Sequence, residues 1–298
     1  MGAAPKKGKL LIHEIVDRLD ELPTLPSIVY ELNRVINDPM SSTSDVEKIM
    51  ANDASLTTKV LKLANSAYYA IPGGVTSLQR AIAYIGYDTI NQLALSASII
   101  KSLGPKSHQL FDLPGFWKHA LGVAMASEVI AKEVKYRTPS DLFTCGLVHD
   151  MGKVALFMVA EEQFIETVSF AREHKQSLVE AEGALDSPRH THIGFELATK
   201  WRLPYQIQVS IANHHQRDTS GRGGLSQEAN LVVDIVFLSN LLIHALQFGQ
   251  SGHQKVLGLP KDVLDRLSLP QESLKDLIGR IKEKIQSADG FLKIIGES

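Results

Sequence analysis

Residues Phe143 to Phe157, FTCGLVHDMGKVALF, set an imidazole, a carboxylate and an ammonium inside an otherwise apolar run. The run reads as a buried helix, and charged groups are costly to bury unless each finds a partner. Whatever fold the chain adopts must therefore bring compensating groups to His149, Asp150 and Lys153. On a helix His149 and Lys153 stand four apart and Asp150 and Lys153 three apart, so their heads converge at one rim of a pocket. A divalent ion is one suitable partner, because imidazole nitrogen and carboxylate oxygen together suit zinc, iron or manganese. A helix-end histidine bonded to a neighbour is the alternative that the doublet alone leaves open.

The rest of the chain reads as all-α. Apolar residues recur at helical spacing at Leu11, Ile12, Ile15, Val16 and Leu19, and again at Ile28, Leu32, Val35 and Ile36 after a break at Pro23 and Pro26. Ser44 with Glu47 has the form of a capping box, Asp53 and Ser77 are caps for the next helices, and Gly86 is a stop. Pro72-Gly73-Gly74 is a break. Helices are expected over Trp117 to Val134, Ser140 to Val159, Phe164 to His174, Leu178 to Leu185, Thr191 or His192 to Trp201, Pro204 to His215 and Gln227 to Gln247. Gly104-Pro105 marks the best boundary, dividing an N-terminal helical part, 1–105, from a second part, 106–298, that ends in an amphipathic series at Leu274, Leu277, Ile278, Ile281 and Ile285.

With 31 basic and 33 acidic residues among 298, the formal charge of -2 supplies no field that would recruit nucleic acid or an anionic membrane. Lys48, Lys59 and Lys62, on short helices that superficially suggest a helix-turn-helix, are too few for a phosphate-tracking face. The single cysteine, Cys145, can form no internal disulfide and is expected as a packed thiol in a reducing compartment. Glu14, Asp17, Arg18 and Asp20 interrupt the first amphipathic segment and exclude a signal-peptide core there. No segment reads as a long uncharged membrane span. A cytoplasmic location with no membrane partner is the expectation.

Six groups stand out: His119, His149, Asp150, His192, His214 and His215. They come from four separated helices or helix ends, which is how a helical bundle assembles a metal site. Adjacent His214 and His215 point about a quarter turn apart, so both reach one centre only at a helix end. His190 reads as a surface residue, and His13, His108, His174 and His253 need no role beyond solvation. The flexible stretch Gln216 to Gly224, directly after the histidine pair, reads as a connecting loop or a lid. A metal here would suit phosphoester hydrolysis, polarising a phosphoryl oxygen and acidifying bound water, with Lys153 balancing phosphate charge.

The chain resembles the HDOD proteins, a regulatory branch of the HD-domain phosphohydrolase superfamily, over roughly residues 15 to 247. The resemblance is carried by Leu22-Pro23-Thr24-Leu25-Pro26, Asp53-Ala54-Ser55-Leu56, the run Val60 to Tyr68 containing Asn65-Ser66, and Ser77 to Gly86, then by His119, His149-Asp150 and Lys153 in the second half. It implies an N-terminal helical bundle packed on an HD-like helical core. His192 in His-Ile-Gly and the pair His214-His215 are similar to the added histidines of the HD-GYP cyclic di-GMP phosphodiesterases. Asn240 stands where the superfamily's last metal aspartate is expected, and Gly115 where HD-GYP enzymes supply a glutamate. The GYP signature is absent.

The resemblance implies a signal-transduction regulatory module that binds protein partners and a metal or nucleotide ligand, with little or no hydrolysis. The other reading is a metal-dependent phosphohydrolase acting on a cyclic dinucleotide or other phosphoester, with Asp150 and Lys153 as its catalytic groups. In either case one or two ions of iron, manganese or zinc would be held by His119, His149, Asp150, His192, His214, His215 and Asn240.

Overall fold

The computed structural model describes residues 9–36, 40, 42–104, 106, 108–253 and 255–296. Pro105 and Ser107, at the expected boundary, lie outside the described residues. Among the described residues every regular element is helical, and the one β-bridge is an isolated His108 to Phe111 pairing.

In chain order the first helices are α1 (Ile12–Arg18), α2 (Ser27–Ile36), α3 (Thr43–Ala51), α4 (Ala54–Ala64), α5 (Leu78–Ile85) and α6 (Tyr87–Ser102). They are followed by α7 (Leu113–Glu133), α8 (Pro139–Val148), α9 (Met151–Val159), α10 (Glu161–Glu173), α11 (Leu178–Ala184), α12 (His190–Lys200) and α13 (Tyr205–Asn213). The long α14 (Gln227–Ala245) and the shorter α15 (Lys261–Arg266), α16 (Leu274–Ile285) and α17 (Ala288–Gly296) complete the chain.

Local chemistry explains most of the boundaries. Asp53 accepts from the Leu56 amide at 2.8 Å and Ser77 from that of Arg80 at 3.3 Å, so both caps lie where the sequence places them. The first capping box is shifted by two residues: Ser42 and Asp45 form it, not Ser44 and Glu47, and α3 begins at Thr43. Asn65 closes α4 by bonding both backbone groups of Val75, each at 2.7 Å, which folds the Pro72-Gly73-Gly74 turn back on the helix. Gly86 separates α5 from α6 at φ +85, a left-handed value that a side chain strongly disfavours.

The central apolar run departs from the expectation of one helix. It is two, α8 and α9, and the break falls on the His149-Asp150 doublet. Residues 139–159 and helix Gln227–Ala245 are, by length and composition, apolar enough to cross a membrane, contrary to the expectation that no segment is. Their windows are 94% and 67% buried inside the protein, which accounts for the apolarity as core.

Two glycines bring the site-bearing helices together. Around Gly146, α8 lies so close to α7 that an added Cβ would stand 2.8 Å from the Ala124 Cα, the Val123 carbonyl and the Ser127 hydroxyl. On Gly152, at the start of α9, a Cβ would overlap the His190 carbonyl oxygen and lie 2.6 Å from the Gly194 amide nitrogen. The obstacle is backbone, which cannot swing aside as a side chain can. Gly152→Ala should therefore force α9 and α12 apart and cost roughly 3 kcal/mol or more. Urea unfolding of the two proteins measures this, and a loss below about 1 kcal/mol would show that the contact yields freely.

Candidate metal centre

Each functional side chain is delivered by a helix end or a helix held by those close contacts. His119 comes from α7, His149 and Asp150 from the junction of α8 and α9, and Lys153 from the first turn of α9. His190 opens α12, His214 and His215 follow α13, and Asn240 comes from α14. His119, His149, Asp150, Lys153, His190 and His214 are buried. Candidate ligand atoms fall into two groups, each within 4.8 Å: Asp150 with His190, His214 and His215, and Asp150 with His119 and His149. Asp150 is common to both, so its carboxylate stands where two ion positions would meet.

The tautomers point the same way. His149 Nδ1 lies 2.7 Å from the Gly146 carbonyl, and His214 Nδ1 lies 3.0 Å from that of Ile211 and 3.2 Å from that of Ser210. Carbonyls only accept, so each Nδ1 carries a proton, and each Nε2 is the atom free to take a metal when the ring is neutral. His149 Nε2 is 3.2 Å from Asp150 Oδ2, and His214 Nε2 is 3.2 Å from Oδ1. His190 Nδ1 faces Glu182 Oε1 at 2.7 Å and its Nε2 lies 3.2 Å from Asp150 Oδ1. A ring nitrogen set against a carboxylate needs positive charge between them, a proton on the ring or a metal ion in its place. His149 Nε2 indeed has no hydrogen-bond partner among the described residues. The buried His/Asp groups could hold a metal ion, and the donor set fits zinc, iron or manganese.

Part of the charge is already balanced. Lys153 Nζ donates to Asp150 Oδ2 at 2.6 Å and to the Ser251 carbonyl at 3.0 Å. Burial by itself would raise the Asp150 carboxyl, but neighbouring His149 and Lys153 outweigh it and hold the group well below the usual range. For His190, burial is outweighed by Glu182 and Asp150, and its pKa is raised. Glu182 is a buried carboxylate behind a histidine, the arrangement that fixes ring orientation at metal sites.

The sequence expectations for His192 and His190 need correction, and the choice between loop and lid after His215 is decided. His192 does not join the cluster: its side chain is 48% exposed and faces Glu196 on the same helix at 3.8 Å. His190, read as a surface residue, takes the inward place, because the first turn of α12 is pressed on α9 at Gly152. The loop after His215 is also no free lid. Arg222 is buried within it and donates to the carbonyls of Gln216 and Arg217, to Asn230 and to Asp234. The contacts to His119, His149, Asp150, His214 and His215 are brought together as described, and Asn240 reaches the cluster through a 2.9 Å hydrogen bond between its Oδ1 and His119 Nε2.

Sequence reading passed over Glu182 and His244, and its reading of His253 as merely solvated is corrected: the ring is half-buried beside His244. The rings of His119 and His244 are 4.4 Å apart and those of His244 and His253 are 4.5 Å apart, forming a column that leads outward from the cluster. The segment after α14 covers this column. Gly249, at φ +74, lies against the backbone of His119 and Gly115, and the Gln250 amide donates to the Gly115 carbonyl at 2.8 Å. At Gly115 a Cβ would come 2.5 Å from the Asp112 carboxylate that caps α7, while Gln250, at 3.6 Å, would be in ordinary van der Waals contact.

Comparison with known proteins accords with this architecture. The HDOD domain model matches residues 22–217, and the chain belongs to the HDOD family. A Geobacter sulfurreducens HDOD domain protein of unknown function superposes with TM-score 0.74 at 24% identity, covering 96% of this chain and 99% of that one. A Marinobacter aquaeolei protein whose name places it in signal transduction gives TM-score 0.77 at 20% identity, over 98% of this chain and 64% of that one. At these identities the two structures show a shared fold. The cyclic di-GMP phosphodiesterase CdgJ of Vibrio cholerae is 28% identical over 162 residues, 53% of this chain and 35% of CdgJ. The chain spans about half or less of the length of the curated relatives it matches.

Acid should destabilise the metal-free protein. Burial lowers the pKa of His119 to about 3 and that of His214 to about 4, and pushes His215 well down. Unfolded histidines take up protons below about pH 6.5, so between roughly pH 4 and 6.5 the unfolded chain binds more protons than the native one. Stability therefore falls as pH is lowered through that window. His190 contributes in the opposite sense, since its raised pKa adds stability that is lost as pH rises through it. In urea unfolding of chelator-treated protein the net loss should exceed the single-histidine slope of about 1.4 kcal/mol per pH unit. A midpoint independent of pH from 6.5 to 5 would refute neutral burial of these rings.

Proposed function

We propose that this chain is an HDOD signal-transduction module whose buried His/Asp centre holds one or two divalent ions, iron, manganese or zinc, to sense and stabilise, with little or no phosphoester turnover. The observation that supports it most is the convergence of the Nε2 atoms of His149, His190 and His214 on Asp150. Such a set is costly without a cation and favourable with one. His119, His149, Asp150, His190, His214 and His215 would hold the metal, with Glu182 orienting His190.

Slow turnover is argued from the same residues. A catalytic centre needs an open coordination position and a path for substrate. Here Lys153 pairs with Asp150, the Ser251 segment lies over Lys153, and neutral Asn240 binds His119 where a carboxylate would strengthen cation binding. Protein partners of the signalling kind follow from the family reading and would read the state of the centre from the surface.

Phosphoester hydrolysis is the second reading, favoured by the shared Asp150 between two donor groups and by the likeness to a cyclic di-GMP phosphodiesterase. A bound metal would supply Lewis acidity and an acidified water there. Lys153 would hold positive charge beside the phosphate and Asp150 would orient the site.

Metal content by mass spectrometry on protein purified without chelator separates these readings when joined to an assay with cyclic di-GMP and bis-p-nitrophenyl phosphate. The wild type should carry metal, Asp150→Asn and His190→Ala should lose most of it, and His192→Ala should keep it. Turnover should be negligible, and Asn240→Asp should raise metal affinity severalfold. Turnover abolished in Asp150→Asn would establish the hydrolase instead. Absence of metal in wild type, or its retention in His190→Ala, would overturn the metal centre as drawn.

A further inference from the structure

A cavity of about 430 Å³ lies on the outer side of His119, between the end of α10, the end of α14 and the covering segment. Its wall includes Arg172, His119, His244, His253, Gln247 and Gln250, and among the described residues its lining contains no carboxylate. Two of its polar atoms, Arg172 Nε and His253 Nδ1, are shielded from solvent and lack any hydrogen-bond partner among the described residues. Arg172 makes no ion pair among the described residues either, whereas most other buried or half-buried cations of this protein are paired. A shielded guanidinium N–H without a partner costs free energy, and it is available to an anion that enters the cavity.

We propose that this cavity binds the phosphate group of a small metabolite, with Arg172 as the cationic anchor and His253 as a hydrogen-bonding partner. Arginine's planar donors suit phosphate oxygens. Gly249 and Gly252, both at positive φ, turn the covering backbone around the cavity. The volume lies within the ordinary range for small-molecule pockets, large enough for a phosphate together with a modest organic body.

The site would act on the buried centre through contacts already in place. His253 stacks on His244, the His244 and His119 rings meet at a tilt of 47°, and His119 belongs to the candidate metal group. Ser251 bonds His244 Nε2 at 3.0 Å through its hydroxyl and Lys153 through its carbonyl, so a ligand that shifts this segment also shifts the partner of Asp150. This extends the sensing role proposed above, but binding at Arg172 does not require that role to be correct.

Inorganic phosphate is the probe, titrated into the full chain as purified by calorimetry at constant ionic strength, with metal content measured on every sample. The wild type should show saturable uptake with Kd on the order of millimolar or tighter. Arg172→Ala should weaken it at least tenfold and His253→Ala by a smaller factor, both without loss of metal, while Arg172→Lys should recover part of the affinity. Circular dichroism checks that the variants are folded, and Arg172→Gln, which preserves side-chain bulk, replaces the alanine variant if it is not. No saturable uptake by the wild type would overturn the site. Uptake unchanged in both Arg172→Ala and Arg172→Gln would place the phosphate on the His/Asp centre and equally overturn it. Loss of metal in Asp150→Asn with phosphate uptake intact would leave this site standing and concern only the metal reading.

Discussion

The carboxylate of Asp150 is the group on which this architecture turns. It is buried, it is ionised, and every element around it is arranged to make that tolerable. Lys153 supplies one charge from the next turn, and imidazoles from the α8–α9 junction, α12 and the end of α13 approach its two oxygens. A buried carboxylate ringed by imidazole nitrogens is costly in a simple packed core unless protons or a metal ion supply positive charge. With a cation it becomes a favourable centre, which is why the polar interior reads as a binding site rather than as a stabilising device.

Close backbone packing positions this chemistry. Gly146 lets α8 rest on α7, and Gly152 lets α9 rest on α12. Around these contacts the aromatic and aliphatic residues of the core fill space, but the glycines decide how near the ligand-bearing backbones can come. The same logic applies on the outer side, where Gly249 seats the covering segment against α7.

Much of the helical layout was legible before any coordinates. The caps at Asp53 and Ser77 and the stop at Gly86 depend on hydrogen bonds and dihedral preferences within a few residues. The first capping box was misplaced by two positions because Ser42-Asp45 and Ser44-Glu47 carry nearly the same local chemistry. The expected single helix from Ser140 to Val159 failed for a different reason. Apolar periodicity does not register a change of direction when both halves are buried, so the break at the doublet left no mark in the pattern.

Helical periodicity and the cost of burying charge are readable along the chain: they make it helical, require partners for His149, Asp150 and Lys153 in the interior, and offer His119, His214 and His215 as candidates. Only the tertiary structure decided that His190 turns inward while His192 faces Glu196 and solvent, that Glu182 stands behind His190, and that His244 and His253 extend the column outward. Which face of a helix is buried depends on what packs against it, and that partner lies tens of residues away in sequence.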